Sequence, residues 1–350
     1  MKGFRPVPVV NPLGRERHHA RALALWTGVL IVLAALPEGT AAARPDQAAP
    51  KVLVSAAPMA LVSAALMAPV PGSQCNVFPA NNIWNTSVKL LPVHRKNSVW
   101  MKSMKASSLK IHPAFGRSPY GMPYKTVSNS HAKVRVKFDW PEESDPGPYP
   151  FGVDIPRERN EDRHALMLNK DTCMMYELYR AAPVPPVAGS GAMFNLKSNW
   201  LRPNGWTSAD AAGLPIFAGL LRYDEVMSGY ISHAIRFTIA RTDCRHVWPA
   251  RHHVGGCNRS KPPMGIRLRL KNNYNLSRFS PAVRTILRAL KRYGMILADN
   301  GPSFYIGGTM DSRWTGTIIN QLKTVSASNF RIVDESACMI SSKSGAADCP

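Results

Sequence analysis

The chain has 350 residues, 45% of them hydrophobic, and a formal net charge of +22 from 44 Lys and Arg against 22 Asp and Glu. That length can bury a sizeable core, and the apolar content excludes a wholly disordered chain. The charge directs attention to polyanions such as nucleic acid, anionic lipid or acidic polysaccharide.

Residues 1–43 begin with Lys2, Arg5, Arg15, Arg17 and Arg21, continue as an uncharged run from Ala22 to Pro37, and end in Ala41-Ala42-Ala43. Basic, then apolar, then small is the plan of a secretory signal peptide. The apolar run is shorter than the roughly 20 residues a membrane span needs. The Ala- and Pro-rich stretch 44–74 reads as a linker. Within it Val52–Val70 is uncharged but holds Pro58 and Pro69, so it makes a poor lipid-facing helix. It is the one place where a membrane tether could lie. Residues 75–335 have a uniform globular texture and are expected to form one domain, with 336–350 as a small polar tail.

Three segments alternate as half-buried strands do. In Lys133–Trp140, Val134, Val136, Phe138 and Trp140 oppose Lys133, Arg135, Lys137 and Asp139. In Tyr230–Ala240, Ile231, His233, Ile235, Phe237 and Ile239 share a face, with Arg236 on the other. In Ile266–Lys271, Ile266, Leu268 and Leu270 oppose Arg267 and Arg269. Single clean faces imply antiparallel sheets with one side solvated or lining a groove. Further on, Ser280-Pro281 starts a helix whose stripe is Val283, Ile286, Leu287 and Leu290, closed by Gly294. A weaker helix spans about Asp311 to Val325, and strands Met295–Asp299 and Phe330–Asp334 each follow a helix. The expected fold is mainly β, like a β-sandwich or jelly roll of antiparallel sheets, with a small C-terminal α/β portion.

All six cysteines lie beyond the leader. Six cysteines allow 15 pairings. Closeness favours Cys244–Cys257 and Cys338–Cys349, which leaves Cys75–Cys173.

Asp162 to Tyr179 reads as a hairpin. With Lys170 and Asp171 as its loop, His164 faces Glu177, Leu166 faces Met175 and Leu168 faces Cys173. A carboxylate beside an imidazole raises its pKa and orients it for proton transfer; the plainer alternative is an ion pair stapling the hairpin. Asp210 lies among Ser, Ala and Gly in Trp206–Ile216, where backbone and ligand can approach closely, or where it simply caps a turn. Asp145 sits on the proline-fixed segment Glu143–Pro150. His233, on an apolar face, reads as a satisfied core residue. Arg251, His252 and His253 share a loop, but adjacent histidines on an extended chain point apart, so no metal or other cofactor is expected. Asp299-Asn300-Gly301 ends a strand and reads first as a turn. No G-x-S-x-G elbow, Walker loop or dinucleotide fingerprint occurs, and no arginine-rich helix or zinc finger supports a nucleic-acid partner.

The blocks Thr207–Ile216 (TSADAAGLPI), Tyr293–Gly301 (YGMILADNG), Ser144–Pro150 (SDPGPYP) and Asp162–His164 resemble those of a family of exported bacterial and fungal proteins with no assigned activity, over about residues 75–335. The resemblance implies secretion and one domain, and it assigns no catalytic residue.

Export, strands, and acids and tryptophans in Gly/Pro loops together lead to an expected extracellular carbohydrate-active enzyme. It would act as a monomer on a polysaccharide or anionic wall polymer through paired carboxyl groups. The expected pair is Glu177 and Asp210, with Asp145 and Asp162 in reserve and His164 tuning Glu177. Trp206 and Trp140 would stack on sugars, with Arg251 and His252 also at the binding surface. On a polyuronate, Arg236, Arg267 and Arg269 would neutralise carboxylates for a lyase elimination. The alternative is a non-catalytic protein that binds glycan through a basic face.

Overall fold

The structure, a computed structural model, describes residues 67–350. The expected signal peptide (1–43), most of the expected linker (44–74) and most of Val52–Val70 lie outside them. Among the described residues no helix is long and apolar enough to cross a membrane.

The fold is mainly β, as expected, but its sheets are mixed. The largest has six strands in the order His112–Ala114, Tyr305–Gly307, Ile235–Ile239, Met295–Asn300, Arg267–Leu270 and Phe330–Val333. Ile235–Ile239 and Met295–Asn300 run parallel at its centre. Every residue of Ile235–Ile239 is buried, Arg236 included. The expectation of one solvated face fails here because parallel strands at a sheet centre are packed from both faces. Arg267 is fully buried too, on a strand that pairs antiparallel with Met295–Asn300 and Phe330–Val333.

A four-stranded sheet has the order Tyr124–Val127, Ala165–Asn169, Met174–Tyr179 and Ser190–Asn195. Its inner strands serve two cores by alternation. Leu166, Leu168 and Met175 enter the main core. Ala165, Met167, Tyr176 and Leu178 enter a smaller one with Val136, Tyr149 and Phe151. Three short strands, Lys137–Phe138, Ala182–Pro183 and Pro186–Ala188, form a third sheet. Of Lys133–Trp140, only those two residues are strand.

The hairpin differs from the expected register by two residues. Leu166 pairs with Glu177, Leu168 with Met175 and Asn169 with Met174. The loop is therefore Lys170–Cys173, held by the Asn169 carboxamide oxygen accepting from the Asp171 and Thr172 amides at 3.0 and 3.1 Å. A shift of two keeps every side chain on its face and changes its neighbour.

Helix Pro281–Arg292 buries Val283, Ile286, Leu287 and Leu290. It ends at Gly294, whose φ of +67° and closeness to the Leu268 carbonyl leave no room for a Cβ. The weaker helix is Gly316–Leu322, capped by Thr315. The disulfides are Cys75–Cys173, Cys244–Cys257 and Cys338–Cys349. Three formed disulfides suit an oxidising compartment. The tail lies against the body through bridges from Ser344 to Trp200 and from Ala346 to Asn82.

Candidate functional site

The site forms at the carboxyl ends of the two parallel central strands, where open sheets commonly place ligands. The register of Met295–Asn300 against Ile235–Ile239 slips between Leu297 and Asp299, leaving Ala298 as an extra residue. Such a bulge re-aims the side chains that follow it. The Ala298 carbonyl accepts the Ala212 amide at 2.9 Å, and the Ala212 carbonyl accepts the amides of Arg251 and His252 at 2.8 and 3.1 Å. The bulge thus anchors the Thr207–Ile216 loop beside Asp299. Within that loop the Ser208 hydroxyl accepts the Asp210 amide at 2.9 Å and donates to the Leu214 carbonyl at 2.6 Å. No helix forms through the alanines.

Asp210 is fully buried and takes one guanidinium edge of Arg236 with both its oxygens, Nε at 2.9 Å from Oδ2 and Nη2 on Oδ1. Arg236 fits because Gly219 and Gly307 flank it; a Cβ on either would lie 2.7 to 2.9 Å from its side chain or backbone. The same Nη2 lies 3.7 Å from Asp299 Oδ2, and the Asp299 side chain is 25% exposed. Burial and the Asp210 charge push the Asp299 carboxyl up to about 8, against the opposing pull of Arg236 and His164.

His164 is buried between two acceptors. Its Nε2 lies 3.1 Å from the Ala209 carbonyl, and its Nδ1 lies 2.6 Å from Glu158 Oε2. Burial would depress this imidazole, but the hydrogen bond and charge of Glu158 outweigh it, and the pKa is raised. Donor atoms of Glu158, Asp162 and His164 all lie within 4.8 Å of one another.

Two cavities, of about 450 and 570 Å³, share Asp162, Asp299 and Asn300 in their walls and together form a groove. The first also carries Trp140, Glu143, Tyr179, Asp210 and His252. The second carries Glu158, His164 and Arg236. Trp140, 42% exposed, lies nearly parallel to Tyr179, with centroids 6.2 Å apart and 18° between planes. Glu143 accepts the Thr207 amide at 3.1 Å and lies 3.7 Å from His252 Nε2.

Of the residues singled out in the sequence, Asp162, His164, Asp210, Arg236, Trp140 and His252 meet at this groove. Glu177 does not. It faces the main core, fully buried, and its two oxygens accept the Ile216 and Phe217 amides at 2.8 and 2.9 Å. It braces the turn below the site, and His164 takes Glu158 as its carboxylate instead. Asp145 is bound by Arg202 and accepts the Met193 amide at 2.8 Å. Trp206 lies against the Arg202 guanidinium at 5.5 Å. Arg251 donates to the carbonyls of Arg202 and Ser342 at 2.8 and 2.7 Å. Arg267 pairs with Glu335 at 3.0 Å, and Arg269 donates to the carbonyls of Val88, Lys89 and Leu91. These last three arginines tie loops to the body, so of the expected neutralising cations Arg236 alone reaches the groove. His233 is a satisfied core residue, with Nδ1 at the Ala234 carbonyl and Nε2 at Glu225.

Glu158, Glu143, Tyr179 and Asp299 are the residues that sequence reasoning passed over or read as structure. The signal for Asp299 was its place at the carboxyl end of a strand that follows a helix. Comparison with family models, with curated proteins and with solved structures returns no match.

Proposed function

We propose that the protein is an exported enzyme that hydrolyses a glycosidic bond in an extracellular polysaccharide, with Asp299 as the proton donor. The observation that carries this reading is the place of Asp299 on the wall of an open groove, where burial and the neighbouring Asp210 charge push its carboxyl up to about 8. At neutral pH it holds a proton that a departing sugar oxygen needs. Glycoside hydrolysis requires a second carboxyl group to activate water or to attack the sugar. Glu143, on the wall of the same cavity with His252 beside it, fits that part. The Trp140–Tyr179 pair offers a flat apolar surface for a sugar ring. The basic leader, the apolar run after it and the three disulfides support export.

The lyase variant loses its support, because Arg236 is committed to Asp210 while Arg267 and Arg269 lie outside the groove. The net charge of +22 favours anionic polymers as substrates or attachment surfaces. If the protein only binds them, retention falls with salt and no product forms.

The test is release of reducing ends from a panel of neutral and acidic wall and matrix polysaccharides. Wild type releases them, and Asp299→Asn loses about 10²- to 10⁴-fold in rate, the usual worth of a general acid. Full activity in Asp299→Asn overturns the reading.

A further inference from the structure

The Glu158–His164 loop brings an imidazole and two carboxylates together on the wall of the groove. His164 Nε2 faces the Ala209 carbonyl at 3.1 Å, and a carbonyl only accepts, so Nε2 carries a hydrogen. Nδ1, the other nitrogen, then faces the Glu158 Oε2 lone pairs at 2.6 Å. At that distance a proton lies between them, because two ligand atoms of one metal ion, each about 2 Å from it, stand about 3 Å or more apart.

The surroundings favour a site that accepts a metal. An imidazole whose far nitrogen is fixed on a backbone carbonyl is the usual outer support of a metal-binding histidine. Asp162 brings a third donor atom, all three lying within 4.8 Å of one another, and a modest side-chain adjustment closes them on one ion. The three come from one short loop whose ends are tied by the Glu158 amide donating to the His164 carbonyl at 2.9 Å. Charge points the same way. Glu158, Asp162, Asp210 and Asp299 gather here against Arg159 and Arg236, and Arg236 is bound to Asp210 through its Nε/Nη2 edge. Glu158, Asp162 and His164 also line the 570 Å³ cavity, which gives an incoming ion a path and leaves coordination positions open to water or substrate.

We propose that Glu158, Asp162 and His164 form a binding site for a divalent transition-metal ion at the floor of the groove. One imidazole nitrogen with two carboxylate oxygens suits Zn²⁺ or Mn²⁺; Ca²⁺ and Mg²⁺ prefer all-oxygen sites. The ion takes the place of the proton on Nδ1, which leaves to solvent. This departs from the sequence expectation of no metal. It shares the groove with the hydrolase reading but does not depend on it, because binding is read without substrate.

The experiment uses the mature protein stripped with a chelator and titrated calorimetrically with ZnCl₂ and, separately, MnCl₂ near neutral pH. One equivalent of Zn²⁺ or Mn²⁺ binds saturably to wild type, and affinity falls by at least about 10- to 100-fold in Glu158→Gln and in Asp162→Asn. As a measurement that needs no variant, Co²⁺ added to stripped wild type develops the visible bands of a bound N/O site. No saturable binding, or only the spectrum of aqueous Co²⁺, overturns the proposal. So does affinity unchanged in both variants, which would place the ion elsewhere, for instance between His246 and His253, whose Nδ1 atoms lie 3.1 Å apart.

Discussion

Replacing Glu177 by Gln separates a structural brace from a catalytic acid. Glu177 is fully buried, and burial pushes its carboxyl from 4.5 up to about 7, more strongly than the Ile216 and Phe217 amides pull it down. A folded-state pKa above the unfolded one means that wild type has the full stability from this group below pH 4.5. It loses that stability progressively as pH rises to 7. The shift corresponds to about 3 kcal/mol. Glutamine is neutral at every pH but offers one acceptor oxygen where Glu177 uses two, so Glu177→Gln carries a pH-independent cost of about 1–3 kcal/mol from the unpaired amide. Between pH 4.5 and pH 8 the stability difference should shift in favour of the variant by about 3 kcal/mol. The buried acids Glu335, raised to about 7, and Asp299 are common to both proteins and cancel in the difference. The assay is urea unfolding at pH 4.5, 6 and 8 with disulfides intact. A gap that stays constant across pH, or one that grows in favour of wild type, refutes the reasoning; the second result would mean the two amides outweigh burial.

Two further outcomes test the frame around the groove. The Cys75–Cys173 disulfide spans a sequence separation of 98, and replacing both cysteines by Ser should cost about 5 kcal/mol; a loss below about 1 kcal/mol in urea unfolding would show that the link constrains little. Arg236→Met leaves Asp210 buried without its partner and should cost about 3–5 kcal/mol, while adding Asp210→Leu should recover much of that, so strictly additive losses would contradict the pairing.

Local chemistry made much of this structure legible. Proline after Ser280 and a left-handed glycine at Gly294 bracket a helix whose apolar spacing is unambiguous, and the short cysteine separations matched the chain's real turns. Six of the residues singled out in the sequence line one groove, Asp210 and Trp140 among them because acids and aromatics beside Gly/Pro loops have few structural reasons to be there. What failed was anything set by pairing over distance. The Asn169 side chain organises a four-residue loop in place of two, and that moved Glu177 opposite Leu166. Arg267 alternates like a surface residue but is fully buried, paired with Glu335 from beyond the neighbouring strand. Asp299 becomes a site residue only because its strand pairs in parallel with Ile235–Ile239 and slips by one at Ala298. No periodicity within either segment records that meeting.

The central claim is that Asp299 keeps its proton at neutral pH, and carboxyl-carbon NMR of aspartate-labelled mature protein tests it most directly. One resonance, missing from Asp299→Asn, should titrate with a midpoint near pH 8. A midpoint near the ordinary aspartate value of about 4 would contradict the account.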